Sequence, residues 1–379
     1  MLPPSHALER QLLPFIAFQG AYTTLIGFSG ILMYQKSGVQ GTVIFIAWML
    51  AFAAISIISP FVLGRWLGLR GKRLVRISFV IPAIALYWAD GNPMLLGVAA
   101  GVFLGCSWAA RHWLELSLLS DGQRDHYASQ VTVITVISGL LATALVSGLL
   151  TVFQESPTAV YASYGVMAIV ASVWAARTLP QTPVMHWEQP LEVVRQPAFK
   201  ACLPLFFLES GMFGVGLVMG ASGAVQALGQ ASHYGWVSSI ASVFGAVSLY
   251  VVRRKRHSTN RVRWMGLACL GIVAAQVLLG SCVWVPQLFI VHLLLLACVQ
   301  PFWAASEHVL NQRALDLKGA LADRIVVREA ILGVFRLIAL GCFWLVVRHW
   351  SPQATLVLGT FLMALAALSE WLLGRAWLR

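Results

Sequence analysis

In this 379-residue chain the side chains able to do chemistry stand inside long apolar runs, where an ionisable group needs a reason to be. Glu209, in Leu203-Pro204-Leu205-Phe206-Phe207-Leu208-Glu209-Ser210-Gly211, sits about two turns into one run, so it either exchanges a proton or pairs with a basic loop residue. Arg336, in Gly333-Val334-Phe335-Arg336-Leu337-Ile338, cannot readily lose its charge and must meet an anion, either a carboxylate such as Glu209 or a substrate. Arg111, His112 and Glu115 close another run, and Glu307 with His308 closes a fourth. Arg111 and Glu115 are four apart and share a helical face, so local pairing competes with a role as gate or proton relay. Gln19, Tyr22, Thr23, Thr24 and Gln300 are uncharged candidates for substrate contact, against interhelical hydrogen bonding as the alternative. His292 is either a proton-carrying or catalytic imidazole or a neutral ring bonded to a neighbouring helix.

These groups are embedded in a chain with 59% hydrophobic and 11% charged residues, far from the soluble norm of roughly a quarter charged. The composition is that of an integral membrane protein. Six cysteines lie in or beside apolar runs without metal-site spacing and read as small buried hydrophobes; no metal and no cofactor is expected. The formal charge of +12 belongs to short connections between runs, which excludes nucleic acid as the implied partner and points to the lipid bilayer.

A spanning helix takes roughly 20 apolar residues. Twelve segments qualify: 11–34, 42–63, 74–88, 93–116, 127–152 and 157–178, then 201–223, 234–252, 262–283, 286–305, 325–347 and 352–373. Between the sixes lies Leu179 to Lys200, which carries Pro180, Pro183, Pro190 and Pro197 and reads as a connector outside the membrane. The expected fold is therefore all-α and polytopic. Its halves are 1–178 and 201–379, joined by a linker at 179–200.

Lysine and arginine crowd the connections after segments 2 and 8 (Arg65, Arg70, Lys72, Arg73 and Arg76; Arg253, Arg254, Lys255, Arg256, Arg261 and Arg263), while the opposite connections offer Lys36 and Arg348. This places both termini and the linker in the cytoplasm, in an inner (cytoplasmic) membrane. Ser107-Trp108-Ala109-Ala110 recurs as Phe302-Trp303-Ala304-Ala305 at an offset of 195, which also pairs Asp121 with Asp316, so the halves read as a parallel duplication. Gly97/Gly101/Gly105 and Gly216/Gly220 form GxxxG spacings that allow helices to pack closely.

The connection Gly64-Arg65-Trp66-Leu67-Gly68-Leu69-Arg70-Gly71-Lys72-Arg73 resembles the loop motif of the major facilitator superfamily. Gly64, Gly71, Lys72 and Arg73 match it as gating-loop residues, and Gly68 stands where the family usually has aspartate. With the segment count and central linker, the resemblance covers the whole chain. It implies secondary transport by alternating access, with segments 1, 4, 7 and 10 lining a central cavity. The expected substrate is a small anionic or zwitterionic metabolite, siderophore-like chelators among the compatible classes, because Arg111 and Arg336 lie at depth against few intramembrane carboxylates. Protons are the expected coupling ion, and the protein is expected to act as a monomer and not as an enzyme. A membrane-embedded transferase and a non-transporting sensor are the alternatives.

Overall fold

The architecture comes from a computed structural model that describes residues 5–89, 91–119, 121–252, 261–314 and 317–377. Within these ranges the side chains of 5–9, 85–89, 121–126, 128, 129, 252, 261, 305, 308, 309, 311–314 and 377 are not described. The pairing of Asp121 with Asp316, the basic run 253–256 and the side chain of His308 therefore lie outside the described part.

The described residues form α-helices and no strand. The first helix, α1 (Ser5–Leu67), merges the first two expected segments and breaks only at Gly38, whose φ of 61° is open to glycine and strained for other residues. Thr42 caps the break by donating to the Gly38 carbonyl at 2.9 Å. At 1.5 Å per residue the 58 apolar residues 10–67 are far longer than a bilayer core is thick, so α1 makes two passes. Then come α2 (Gly71–Ala89), α3 (Pro93–Leu118), α4 (Asp121–Val152) and α5 (Pro157–Arg177). Proline at the first position of α3 and α5 costs no hydrogen bond there, and Asn92 caps α3 by accepting from Met94 and Leu95 N–H.

The linker carries a short helix, α6 (Pro190–Arg195), and runs into α7 (Pro197–Phe206). Residues Phe207–Gly211 form a π-helical turn that joins α7 to α8 (Phe213–Leu228) in one membrane pass. Pro204 removes a backbone donor just before this turn, and such turns recur where function needs a side chain re-aimed. The chain continues through α9 (Ala231–Val252), α10 (Arg261–Ser281), α11 (Leu288–Ala314), α12 (Leu321–Val347) and α13 (Pro352–Trp377).

Among the described residues, nine helices are long and apolar enough to cross a membrane; α2 falls short of that measure, and α11 contributes the shorter apolar stretch Leu288–Ala304. Counting α1 twice and α7 with α8 once gives the twelve passes of a multi-pass membrane protein.

Packing is closest where α3 crosses the second arm of α1. A Cβ on Gly97, Gly101 or Gly105 would lie 2.6, 2.5 or 2.4 Å from the carbonyl oxygens of Phe45, Met49 and Ala53. The glycine stripe is thus the contact surface. Gly220 has open space beside it and Gly216 meets the tip of Met363, so the second stripe brings no backbones together. The cysteines depart from expectation in two places: Cys342 is exposed on the outside of α12 and Cys298 is half-buried, while Cys106, Cys202, Cys269 and Cys282 are buried. In a bilayer an exposed thiol on an apolar face meets lipid, so burial in protein is not required of it.

The linker is strapped down at one end of the bundle, called here the linker end. Met185 N–H donates to Leu69 O at 2.9 Å, Gly71 N–H to Thr182 Oγ1 at 3.1 Å, and Trp113 Nε1 to Pro183 O at 3.3 Å. Beyond these, Asp323 at the start of α12 accepts from the backbone N–H of Glu188 at 2.7 Å and of Gln189 at 2.9 Å. At the far end, the halves are joined by Gln35 Nε2 donating to Gly229 O at 2.8 Å, by Ser222 Oγ donating to Tyr34 Oη at 3.1 Å, and by Glu155 accepting from Ala231 N–H at 3.1 Å and Ser232 N–H at 3.2 Å.

Candidate functional site

A cavity of about 330 Å³ lies between the halves, lined by α1, α4, α9 and α11. Thr24, Thr143, Ser238, Ser242 and Gln300 offer neutral polar groups, and Phe28 and Tyr234 offer ring faces. Of the uncharged candidates, Gln300 and Thr24 line this cavity. Tyr22 does not. One helical turn of 3.6 residues does not bring positions 22 and 24 to one face, and Tyr22 packs at 1% exposure among Phe79, Phe103 and Tyr164 inside the first half. Thr23 is turned to its own helix, donating to Gln19 O at 2.8 Å.

Toward the linker end, the ionisable candidates form a network. Arg111 Nε meets Glu115 Oε1 at 2.7 Å and its Nη1 donates to Gln19 Oε1 at 3.3 Å; its guanidinium carbon lies 4.7 Å from the Trp108 ring centre. Gln19 Nε2 donates onward to Ser107 Oγ at 3.2 Å, and Tyr127 Oη donates to Glu115 Oε1 at 2.9 Å. Gln19 is therefore the brace of an α3 arginine. The i,i+4 pair expected from sequence exists and is extended by groups from α1 and α4.

The second half carries a matching set. Arg328 bridges Glu329 Oε1 at 2.5 Å and Glu209 Oε1 at 3.1 Å, so an α12 guanidinium is a partner of Glu209. The π-turn aims Glu209 and Ser210 together at α12. Arg336 donates from Nε to Ser210 Oγ at 2.8 Å and also from Nη2, with its guanidinium carbon 5.6 Å from the Phe213 ring centre. Among the described residues no carboxylate comes within ion-pair distance of Arg336. The two sets meet between the halves where His112 Nε2 stands 3.7 Å from Glu329 Oε1.

Glu307 accepts from Trp303 Nε1 at 2.7 Å, so the Trp–x–x–x–acid spacing in α11 is a local hydrogen bond, where the equivalent Trp108 stacks on His112. His292 places Nδ1 2.7 Å from Ala275 O at 3% exposure. That is the interhelical bond of the simpler reading. Two loop glycines meet the linker: a Cβ on Gly64 would sit 1.7 Å from Met185 O, and Gly71 N–H donates to Thr182; Lys72 Nζ instead reaches Arg177 O of α5 at 3.4 Å, and Arg73 Nη1 donates to Leu67 O of α1 at 2.8 Å. Gly68 adopts φ 57°, a conformation glycine enters freely.

Sequence reading passed over Arg328, Glu329, Asp323 and Glu370. Arg328 and Asp323 lie within two turns of a helix start, where ordinary interfacial residues also sit, and Glu370 lies as close to a helix end. The expectation of few intramembrane carboxylates is overturned, since Glu115, Glu329 and Glu370 are buried within helices alongside Glu209 and Glu307. Arg111 answers Glu115 and Arg328 answers Glu329 from the same helix, and Arg328 reaches across to Glu209, a contact that only the fold reveals.

No family model and no curated protein matches the sequence. Solved structures do match in fold. The nucleoside transporter NupG superposes with a TM-score of 0.61 at 15% identity, covering 97% of this chain and 98% of that one. A bacterial homologue of the iron transporter ferroportin, in its outward-facing state with soaked iron, gives 0.64 at 15% identity over 99% of both chains. A POT family transporter in complex with 5-aminolevulinic acid gives 0.63 at 10% identity over 94% of both. These neighbours are transporters, not enzymes, and the chain has the fold of the major facilitator transporters expected from its loop motif.

Proposed function

We propose that this protein is a secondary transporter that moves a small anionic or zwitterionic metabolite by alternating access, with protons as the coupling ion. Arg336 carries the reading. A guanidinium held at membrane depth by a serine hydroxyl and a ring, with no carboxylate in ion-pair reach among the described residues, is poised for an anion arriving from outside the protein. Its planar fork has donors to spare after Ser210 is satisfied. The cavity between the halves supplies the neutral contacts a small polar body needs, and Thr24 and Gln300 stand on the same helices as Gln19 and Glu307 of the charged network. The halves, 1–178 and 201–379, would rock about this site while the linker 179–200 stays docked. Both termini and the linker would face the cytoplasm from the inner membrane, because basic connections favour that side. The protein would work as a monomer, since the site is built within one chain.

The test is reconstitution of the purified protein in liposomes loaded with a pH-sensitive dye, screened with organic acids, amino acids, sugars, nucleosides and metal chelators. Substrate-dependent proton movement with an anionic or zwitterionic compound is the expected result. Uptake confined to cations or neutral lipophiles would overturn it.

A further inference from the structure

Glu209 has its countercharge, but among the described residues the half-buried Glu307 and the buried Glu370 have no cation in ion-pair reach. Glu307 of α11 and Glu370 of α13 both stand about two turns from the linker end of their helices. One tight apolar cluster brings them together: Leu205, Cys269, Phe302, Trp303 and Ala367 pack against one another, and Trp371 packs on them. Trp303 is one turn from Glu307, Ala367 is one turn from Glu370, and Leu205 is one turn from Glu209. The cluster therefore brings together the turns that carry the three carboxylates.

Glu370 is 2% exposed and its Oε1 has no hydrogen-bond partner. Among the described residues no lysine, arginine or histidine lies within ion-pair distance of Glu307 or Glu370. Among the described residues the ionisable groups near Glu370 on the packed helices are Cys269 of α10, Glu307 of α11 and Glu209 of the π-turn, none of them a cation. The whole network sets the guanidiniums of Arg111, Arg328 and Arg336 against the carboxylates of Glu115, Glu209, Glu307, Glu329 and Glu370. Among the described residues these carboxylates outnumber the guanidiniums, and an unpaired charge in this medium is among the costliest things a fold can hold.

We propose that Glu307 and Glu370 form a proton-binding pair, Glu370 holding its proton in the protein interior and Glu307 exchanging it with the cavity side. Trp303 Nε1 engages one oxygen of Glu307 and leaves the other free to take or release the proton. Glu307 is the less buried of the two and lies two turns from the cavity-lining Gln300 on the same helix, so it is the nearer of the pair to the cavity along the chain. An anion settling on Arg336 withdraws positive charge from the same network, so anion binding and protonation favour each other and travel together. The proposal names the coupling site of the transporter read above and rests on that reading only for its use in transport, not for the protonation itself.

The test begins on the unmodified protein. Dicyclohexylcarbodiimide modifies carboxyl groups that are protonated and in apolar surroundings, and peptide mapping finds where. Modification at Glu307 or Glu370, strong at acidic and neutral pH and fading under alkaline conditions, is expected, with Glu209 and Glu329 untouched because both are ion-paired. No modification at either residue at any pH would overturn the proposal. So would protection by sodium or potassium at constant pH, which would make the pair a metal-cation site. Then Glu307→Gln and Glu370→Gln proteins, checked for folding by monodisperse gel filtration, go into the liposome assay. Labelling without transport by the wild-type protein would sink the transporter reading and leave the proton pair standing; transport without labelling would do the reverse.

Discussion

Arg328 Nη2 lies 3.1 Å from Glu209 Oε1 while its Nη1 lies 2.5 Å from Glu329 Oε1, so one guanidinium clamps the π-turn of the seventh pass to its own helix. Removing the guanidinium takes from both carboxylates the cation they share. Removing Glu209 leaves Arg328 still paired.

Arg328→Gln is therefore expected to cost on the order of 3–5 kcal/mol of stability, the usual toll for breaking a buried ion pair from one side. Glu209→Gln should cost clearly less. Urea or thermal unfolding of the purified proteins in detergent gives both numbers, and equal losses would show that Arg328 does not bridge.

Arg336→Lys keeps the charge and loses the fork. The ammonium cannot hold Ser210 and an anion in the same plane, so substrate-induced stabilisation in a thermal-shift screen should fall by at least tenfold in apparent affinity, about 1.4 kcal/mol or more. The melting temperature without substrate should move little. A lysine variant that binds as well as wild type would reduce Arg336 to a structural role.

Asp323→Asn keeps the size and charge-neutralises the latch on the linker. An amide offers one acceptor oxygen for the two N–H groups of Glu188 and Gln189 and turns a donor toward one of them. The expected loss is about 1–3 kcal/mol, read as faster trypsin cleavage after Arg195 and Lys200. Cleavage at the wild-type rate would mean that the linker is held by its contacts with the first half alone.

Two glycines of the basic loop should respond differently to alanine. At Gly64 a Cβ would sit 1.7 Å from Met185 O, which cannot be relieved without lifting the linker, so Gly64→Ala is expected to abolish or sharply reduce the yield of folded protein. Gly68 has open space and only its φ of 57° to lose, so Gly68→Ala should fold at a cost of about 1–2 kcal/mol. The ratio of monodisperse protein to aggregate in gel filtration separates the two.

Much of the architecture was legible in the chain because it follows from one-dimensional facts. A run of apolar residues long enough for a bilayer must cross it as a helix, and proline clusters with polar neighbours cannot. The glycine stripe of α3 was legible for the same reason, since only glycine spaced by four exposes a backbone along one face. Arg111 with Glu115 was legible because both partners share a helix.

The rest was decided in three dimensions. Nothing local tells that α1 turns at Gly38 without a loop, that Pro204 is followed by a π-turn, or that Tyr22 faces Phe103 and not the cavity. The counterion of Glu209 is 119 residues away, and Arg328 looks from sequence like an ordinary residue at a membrane edge. Glu370 shows how far this goes. Its neighbours in the chain are unremarkable, and only the fold shows that its Oε1 is buried without a hydrogen-bond partner and that, among the described residues, no cation is in ion-pair reach. Periodicity and charge asymmetry determine which stretches enter the membrane and along which faces they can pack. Which charges are answered there depends on which helices touch, because in an apolar medium a countercharge counts only within a few ångströms.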